Sequence, residues 1–148
     1  MNLDEAMKIA LDEANLAFQE GEIPVGAVVL KDGELISKAH NNRERESKIS
    51  GHAEILAIEA AEKKLGRWQL DGCQLVVTLE PCLMCMGAIA QARISTLVYG
   101  ADDPTYGGIS SGLDPFSKRI YPSPLIYRNV MKEESAELIN LFFANKRR

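Results

Sequence analysis

Two cysteines of this sequence have the type and spacing of metal ligands. Cys82 and Cys85 stand three residues apart directly after Pro81, and at the start of a helix this spacing turns both sulfur atoms to one face. The positive end of a helix also favours the thiolate form that binds metals. A Cys-x-x-Cys pair alone leaves three interpretations open, which are a redox dithiol, half of a structural zinc site and two buried cysteines.

A histidine favours the metal interpretation. His52 begins the preceding predicted helix, and one imidazole with two thiolates is a known ligand set for zinc that leaves a fourth position open for catalysis. Glu54 lies two residues later, about 200° around a helix, so we expect it to act as an acid and base beside the metal and not as a ligand. If Cys73 or His40 supplied a fourth ligand, the protein would instead be a zinc-stabilised binding module.

The hydrophobic pattern predicts the elements that position these residues. Helices are predicted over residues 3–20, 52–65, 83–93 and 132–146, and strands over residues 25–30, 34–37, 73–79 and 94–100. Asp32-Gly33 is a hairpin signal between the first two strands. Residues 41–51 and 102–124 are predicted to be loops, the second long enough to carry function. We therefore expect an α/β protein with three α-β-α layers and a mixed sheet that opens with an antiparallel hairpin.

Length and composition indicate one domain over residues 1–148, because 46% apolar and 26% charged residues are average for a globular protein. No apolar run approaches the ~20 residues of a membrane span, and Met1 to Glu5 is acidic where a signal peptide would be basic. Three cysteines cannot all pair. We expect a cytosolic protein without disulfides and without a membrane partner.

The charge is unevenly placed along the chain. The net charge is −4, from 17 basic and 21 acidic residues, but the first 42 residues are acidic and the segment from residue 117 onwards is basic. A basic tail on an acidic body is compatible with a phosphate-bearing partner as well as with a solvated helix end.

Longer motifs extend well beyond the metal site. His52-x-Glu54 with Pro81-Cys82-x-x-Cys85 is the signature of zinc-dependent nucleobase deaminases. The other matching strings are Glu22-Ile23-Pro24-Val25-Gly26-Ala27-Val28, Thr78-Leu79-Glu80, Met84, Arg93-Ile94, Tyr99-Gly100-Ala101, Asp103 and Phe142-Phe143. Together these residues resemble the motifs of bacterial tRNA-specific adenosine deaminases, which have a cytidine deaminase-like fold, and the resemblance covers nearly the whole chain.

The resemblance implies hydrolytic deamination of adenosine to inosine at the first, or wobble, anticodon position of tRNA. It implies one zinc ion per subunit on His52, Cys82 and Cys85, with Glu54 as proton donor and acceptor. It also implies a homodimer that binds the anticodon loop of tRNA, where a partly unstacked base is extruded at low cost. The substrate-binding residues that it implies are Asn41, which would hold the flipped base, Val25, Ala53, Pro81 and Asp103.

The sequence departs from the family in the region expected to touch RNA. Thr105 stands where a lysine is common, and Tyr121-Pro122 stands where Asn-His or His-His is found. We expect other basic residues to supply RNA contacts, and the candidates are Lys118, Arg119, Arg128, Lys146 and Arg147. The alternative function is a deaminase of a free base or nucleoside, such as guanine or cytosine, whose substrate binding would depend little on salt.

Overall fold

The computed structural model describes residues 1–117 and 123–146. Within these ranges the helices are α1 (Leu3–Gln19), α2 (Arg43–Glu46), α3 (Ala53–Leu65), α4 (Leu83–Gln91) and α5 (Lys132–Lys146). The strands are β1 (Gly26–Lys31), β2 (Glu34–His40), β3 (Cys73–Leu79), β4 (Thr96–Ala101) and β5 (Leu125–Tyr127).

The strands form one mixed sheet in the order β2-β1-β3-β4-β5. β1 pairs antiparallel with β2 and with β3, whereas β3–β4 and β4–β5 are parallel. The two parallel neighbours β3 and β4 are joined through α4, as parallel pairing requires a crossover. The predicted mixed sheet with its antiparallel hairpin is confirmed.

Helices cover both faces of the sheet, so the domain has the predicted three layers. Because side chains alternate along a strand, Ala27 and Val29 of β1 face the core under α3 and α4, whereas Val28 and Leu30 face the core under α1. Helix α5 lies against β4 beside α1. The fully buried runs of β1 and β4 fit strands that are covered on both faces.

Local signals in the sequence set several helix ends. The side chain of Asn2 caps α1 by accepting a hydrogen bond from the Glu5 N–H at 2.8 Å. Helix α3 ends where Gly66 adopts a φ of +70°, a conformation that glycine adopts without strain. No helix of the described residues is long and apolar enough to cross a membrane.

The structure corrects predictions of where helices and strands lie. Residues 41–51 are not all loop, because they contain α2. The segment 102–124 is followed by an unpredicted strand, β5, whose three residues lie at the sheet edge. Strand β2 runs three residues further than predicted, to His40.

Candidate active site

Three side chains converge where α3 and α4 begin. The Nδ1 atom of His52 lies 3.8 Å from Sγ of Cys82 and 3.6 Å from Sγ of Cys85. All three ligand atoms lie within 4.8 Å of one another, and neither Cys73 nor His40 belongs to a metal-ligand group in the part of the chain described. A closed four-ligand site is therefore not what these residues form.

The helix starts aim the ligands at one point. His52 is the N-cap of α3 and Cys82 the N-cap of α4, and neither side chain makes a capping hydrogen bond. N-caps are usually Ser, Thr, Asp or Asn, whose oxygens bond to the first-turn N–H groups. Here the side chains turn to each other instead, and the positive ends of both helices meet at the two sulfur atoms.

Hydrogen bonding and burial give the two thiols different pKa values. Hydrogen bonds from Cys85 and His52 together lower the pKa of Cys82 to about 4, although burial opposes the shift. The same contact with Cys82, together with burial, raises the pKa of Cys85. Bonding to Cys82 in turn raises the pKa of His52. The group thus gathers negative charge on sulfur that a dication can neutralise.

The donor set and its spacing fit zinc. Zinc bonds of about 2.3 Å to sulfur and about 2.0 Å to nitrogen at tetrahedral angles place S and N about 3.6 Å apart. The observed separations from His52 Nδ1 to the two sulfurs are 3.6 and 3.8 Å. Two thiolates and one imidazole are also the ligand types that zinc accepts in open catalytic sites.

Glu54 lies beside this group and is only 4% exposed. Burial raises its pKa to about 7, although the nearby His52 opposes the shift. A carboxyl group with a pKa near 7 is matched to both donating and accepting a proton at neutral pH. As expected from its place two residues after His52, Glu54 is not among the grouped ligand atoms.

The segment 41–51 forms one side of the site, and a buried carboxylate holds it. Glu22 accepts hydrogen bonds from the backbone N–H of Glu44 at 3.1 Å and of Arg45 at 2.8 Å. An anion at the start of α2 is favourable, because these N–H groups have no partner within the helix. Oδ1 of Asn41 accepts a hydrogen bond from the Ala53 N–H at 2.8 Å, which joins this segment to α3.

The segment 102–112 forms another side and is held by Glu80, which is 2% exposed. The carboxylate of Glu80 accepts hydrogen bonds from the backbone N–H of Asp103, Ile109 and Ser110 at 2.8–3.0 Å. Gly107 forms a backbone bridge with Cys82. Any Cβ atom at Gly107 would lie 2.4 Å from the Glu80 carboxyl carbon, so this approach requires glycine.

Comparison with known proteins gives consistent matches. The family model for MafB19-like deaminases matches residues 1–139. The tRNA-specific adenosine deaminase of Aquifex aeolicus (strain VF5) is 40% identical, over 99% of this chain and 97% of the relative. A solved structure from a study of A-to-I editing by tRNA:A34 deaminases at the wobble position is 41% identical with a TM-score of 0.88, and covers 90% of this chain and 98% of that one. The chain belongs to the tRNA-specific adenosine deaminases.

The fold is shared more widely than this family. Guanine deaminase from Bacillus subtilis is 31% identical with a TM-score of 0.67, over 100% of this chain and 96% of that chain. The tRNA-specific adenosine deaminases are therefore the better match in both sequence and structure.

The structure shows the local contacts of four residues that the sequence predicts to bind substrate. The carbonyl of Val25 accepts from the Asn41 N–H at 3.2 Å, and Ala53 is buried in the first turn of α3. The carbonyl of Pro81 accepts from the Gly108 N–H at 2.9 Å. Asp103 caps its own turn, because Oδ1 accepts from the N–H groups of Thr105 and Tyr106.

The predicted RNA contacts are only partly brought together. Lys146 and Asn41 line one cavity of about 190 Å³, whose other lining residues include Arg43, Phe142 and Phe143. Arg128 is not among the lining residues, and its guanidinium lies 5.9 Å from the ring centre of Tyr99. The predictions for Lys118, Arg119, Arg147 and Tyr121-Pro122 lie outside the described residues.

Sequence reasoning missed the two buried carboxylates as functional residues. In the sequence, Glu22 and Glu80 are members of family motifs without a predicted role of their own. A signal for Glu80 was present, because a carboxylate at the end of an apolar strand is costly to bury without partners. The identity of those partners depends on folding that brings residues 103–110 back to β3.

Proposed function

We propose that this protein hydrolyses adenosine to inosine, with release of ammonia, at the wobble position of a tRNA anticodon. The observation that carries the proposal is the His52, Cys82 and Cys85 group with buried Glu54 in a chain 41% identical to a tRNA:A34 deaminase structure. The three ligands would hold one zinc ion per subunit. Zinc, when bound, supplies the Lewis acidity that activates water.

The residues of this chain would divide the remaining chemistry. Glu54 would accept a proton from water and deliver it to the adenine ring nitrogen as the oxygen adds to carbon 6. It would then take the proton of the added hydroxyl group and pass it to the leaving amine, so that the C–N bond breaks, ammonia leaves and the carbonyl of inosine forms. Oδ1 of Asn41 accepts a hydrogen bond from the Ala53 N–H, so its Nδ2 atom is the group that would donate to the substrate. Val25, Ala53, Pro81 and Asp103 shape the pocket through their backbone and packing contacts.

We propose that the protein acts as a homodimer through α3 and α4. A groove of about 280 Å³ lies between these helices, and its lining includes Ile55, Ile58 and exposed Trp68. Leu83 and Met84 on α4 are also exposed. An apolar patch of this kind is typical of a protein interface.

The basic residues fit an RNA substrate bound in the cytosol. Lys146 and Arg43 line the cavity beside Asn41, where they would meet phosphate groups. We propose Arg128, Lys118, Arg119 and Arg147 as further RNA contacts. The three cysteines are unpaired, which suits a reducing compartment.

The test incubates zinc-loaded protein with a tRNA transcript that carries adenosine at the first anticodon position. Free adenosine, adenine, cytosine and guanine are tested in parallel, with Glu54→Ala as the inactive control. Inosine at that one position, absent with Glu54→Ala, is the expected result. Turnover of a free base with no change in the transcript would overturn this proposal. It would favour the second candidate function, a deaminase of a free base or nucleoside, which the similarity to the guanine deaminase structure supports.

A further inference from the structure

An exposed aromatic side chain lies on the segment 102–112, one residue before the backbone that pairs with a metal ligand. Tyr106 is 74% exposed, whereas the next residue, Gly107, is buried and forms a backbone bridge with Cys82. One step along the chain therefore separates Tyr106 from backbone contact with a metal ligand. A buried tyrosine needs no further explanation, but a tyrosine exposed at this position is available to a substrate.

The backbone that carries Tyr106 is fixed before any substrate arrives. Oδ1 of Asp103 accepts a hydrogen bond from the Tyr106 N–H at 3.1 Å, and Glu80 holds the residues on both sides through backbone N–H groups. The Gly108 N–H is bonded to the Pro81 carbonyl at 2.9 Å. Binding through this residue consequently costs little conformational entropy.

The charge of the segment determines which nucleic-acid contacts it can make. Its charged residues are Asp102 and Asp103, and it contains no Lys or Arg. Such a surface repels phosphate groups, which favours contact with the base over contact with the phosphates. Basic side chains occur instead in the cavity that Asn41 lines, where Arg43 and Lys146 lie together with the carboxylates of Glu22 and Glu44.

We propose that Tyr106 stacks on the nucleobase next to the adenosine that is deaminated, and so selects single-stranded RNA over free nucleosides. Aromatic side chains bind single strands in this way because every base presents a flat face. The inference rests on the proposed function, because it assumes an adenosine within RNA as the substrate.

Steady-state kinetics on an anticodon stem-loop RNA test the proposal. Tyr106→Ala should raise KM roughly 5- to 100-fold, the loss expected for one stacked base, with kcat within about twofold of the parent. Tyr106→Phe and Tyr106→Trp should keep the parental KM, because both retain the ring. Tyr127→Ala is the matched control, since Tyr127 is also exposed but lies on β5.

Two further measurements separate stacking from a merely structural role. The salt dependence of RNA affinity should keep its slope in Tyr106→Ala and become shallower in Lys146→Ala, because only the lysine meets phosphate. Stem-loops with an abasic nucleotide on either side of the adenosine should bind the parent more weakly at one of the two positions. Tyr106→Ala should bind the stem-loop that is abasic at that position as tightly as it binds the intact stem-loop.

The outcomes distinguish this inference from the function on which it rests. Parental protein that edits no RNA would overturn both. Parental protein that edits the stem-loop, with an unchanged KM in Tyr106→Ala or with equal abasic losses in both proteins, would overturn the stacking role alone. A KM for RNA that is as high in Tyr106→Phe as in Tyr106→Ala would also overturn it, because Tyr106→Phe retains the aromatic ring.

Discussion

Glu54 concentrates the chemistry of the site in one buried carboxyl group. The raised pKa of Glu54 follows from burial. A glutamine amide has the same shape but neither accepts nor releases a proton near neutral pH. We expect Glu54→Gln to lower kcat roughly 10²- to 10⁴-fold, the usual contribution of general acid and base catalysis. Zinc content, measured by elemental analysis, should stay at the parental level because Glu54 is not a ligand. Loss of zinc in this variant would contradict that assignment.

Cys82 illustrates a conflict between metal binding and helix stability. It occupies the N-cap of α4 without making a capping bond, and a serine hydroxyl there can accept from a first-turn N–H. We expect Cys82→Ser to abolish zinc binding and activity. The metal-free variant should nevertheless have a free energy of unfolding about 0.5–1 kcal/mol above that of metal-free parent.

Denaturant unfolding of chelator-treated proteins measures this difference. Cys73→Ser is the control, because Cys73 is buried at the start of β3 and does not belong to the ligand group. It should lose stability, since the hydroxyl is buried in an apolar core, yet retain zinc. A metal-free Cys82→Ser protein less stable than metal-free parent would count against the capping argument.

The sequence predicts the site as far as spacing and residue chemistry reach. His52, Cys82 and Cys85 form the expected group because each lies at a helix start that the pattern already indicates. The bond between Asn41 and Ala53 is not predictable in this way, since it depends on how β2 ends beside α3. The role of Arg43 beside the cavity is likewise set by the tertiary structure.

At the scale of elements, two buried carboxylates position the two segments beside the metal group. We expect Glu80→Gln to speed hydrogen exchange at the backbone amides of Asp103, Ile109 and Ser110, because one acceptor oxygen becomes an NH₂ donor. The free energy of unfolding should fall by about 1–3 kcal/mol. Glu22→Gln is the matched control and should affect Glu44 and Arg45 instead.

Exchange measured residue by residue by NMR distinguishes these outcomes. If either variant loosened both segments equally, Glu22 and Glu80 would not act as separate anchors. KM for the RNA should rise in Glu80→Gln more than kcat falls, because the segment 102–112 positions substrate and carries no ligand of the metal.

Long patterned elements were predictable, and short ones were not. Helix α5 and strand β3 have the predicted bounds, since each has a sustained apolar pattern. Helix α2 has four exposed residues and no apolar face, and it is held from outside by Glu22. Strand β5 has three residues and is defined by pairing with β4, which no local pattern reports.

At the scale of the whole molecule, the exposed groove between α3 and α4 predicts association. We expect Trp68→Glu to convert the proposed homodimer into a monomer, because a charge would be buried in the interface. Sedimentation at several protein concentrations measures the change. Leu125→Glu is the control, because Leu125 is exposed on β5 at the sheet edge and should leave the dimer intact. A monomeric parental protein would contradict the prediction.

The way Glu80 holds the segment 102–112 bears on how this enzyme class can change over evolution. Its three hydrogen bonds go to backbone N–H groups, which every amino acid except proline supplies. The exposed side chains between the anchored positions, Pro104, Thr105 and Tyr106, can therefore be exchanged while the main chain keeps its course. Substrate preference can then diverge by single substitutions at these positions, and a library randomised there would retain the fold.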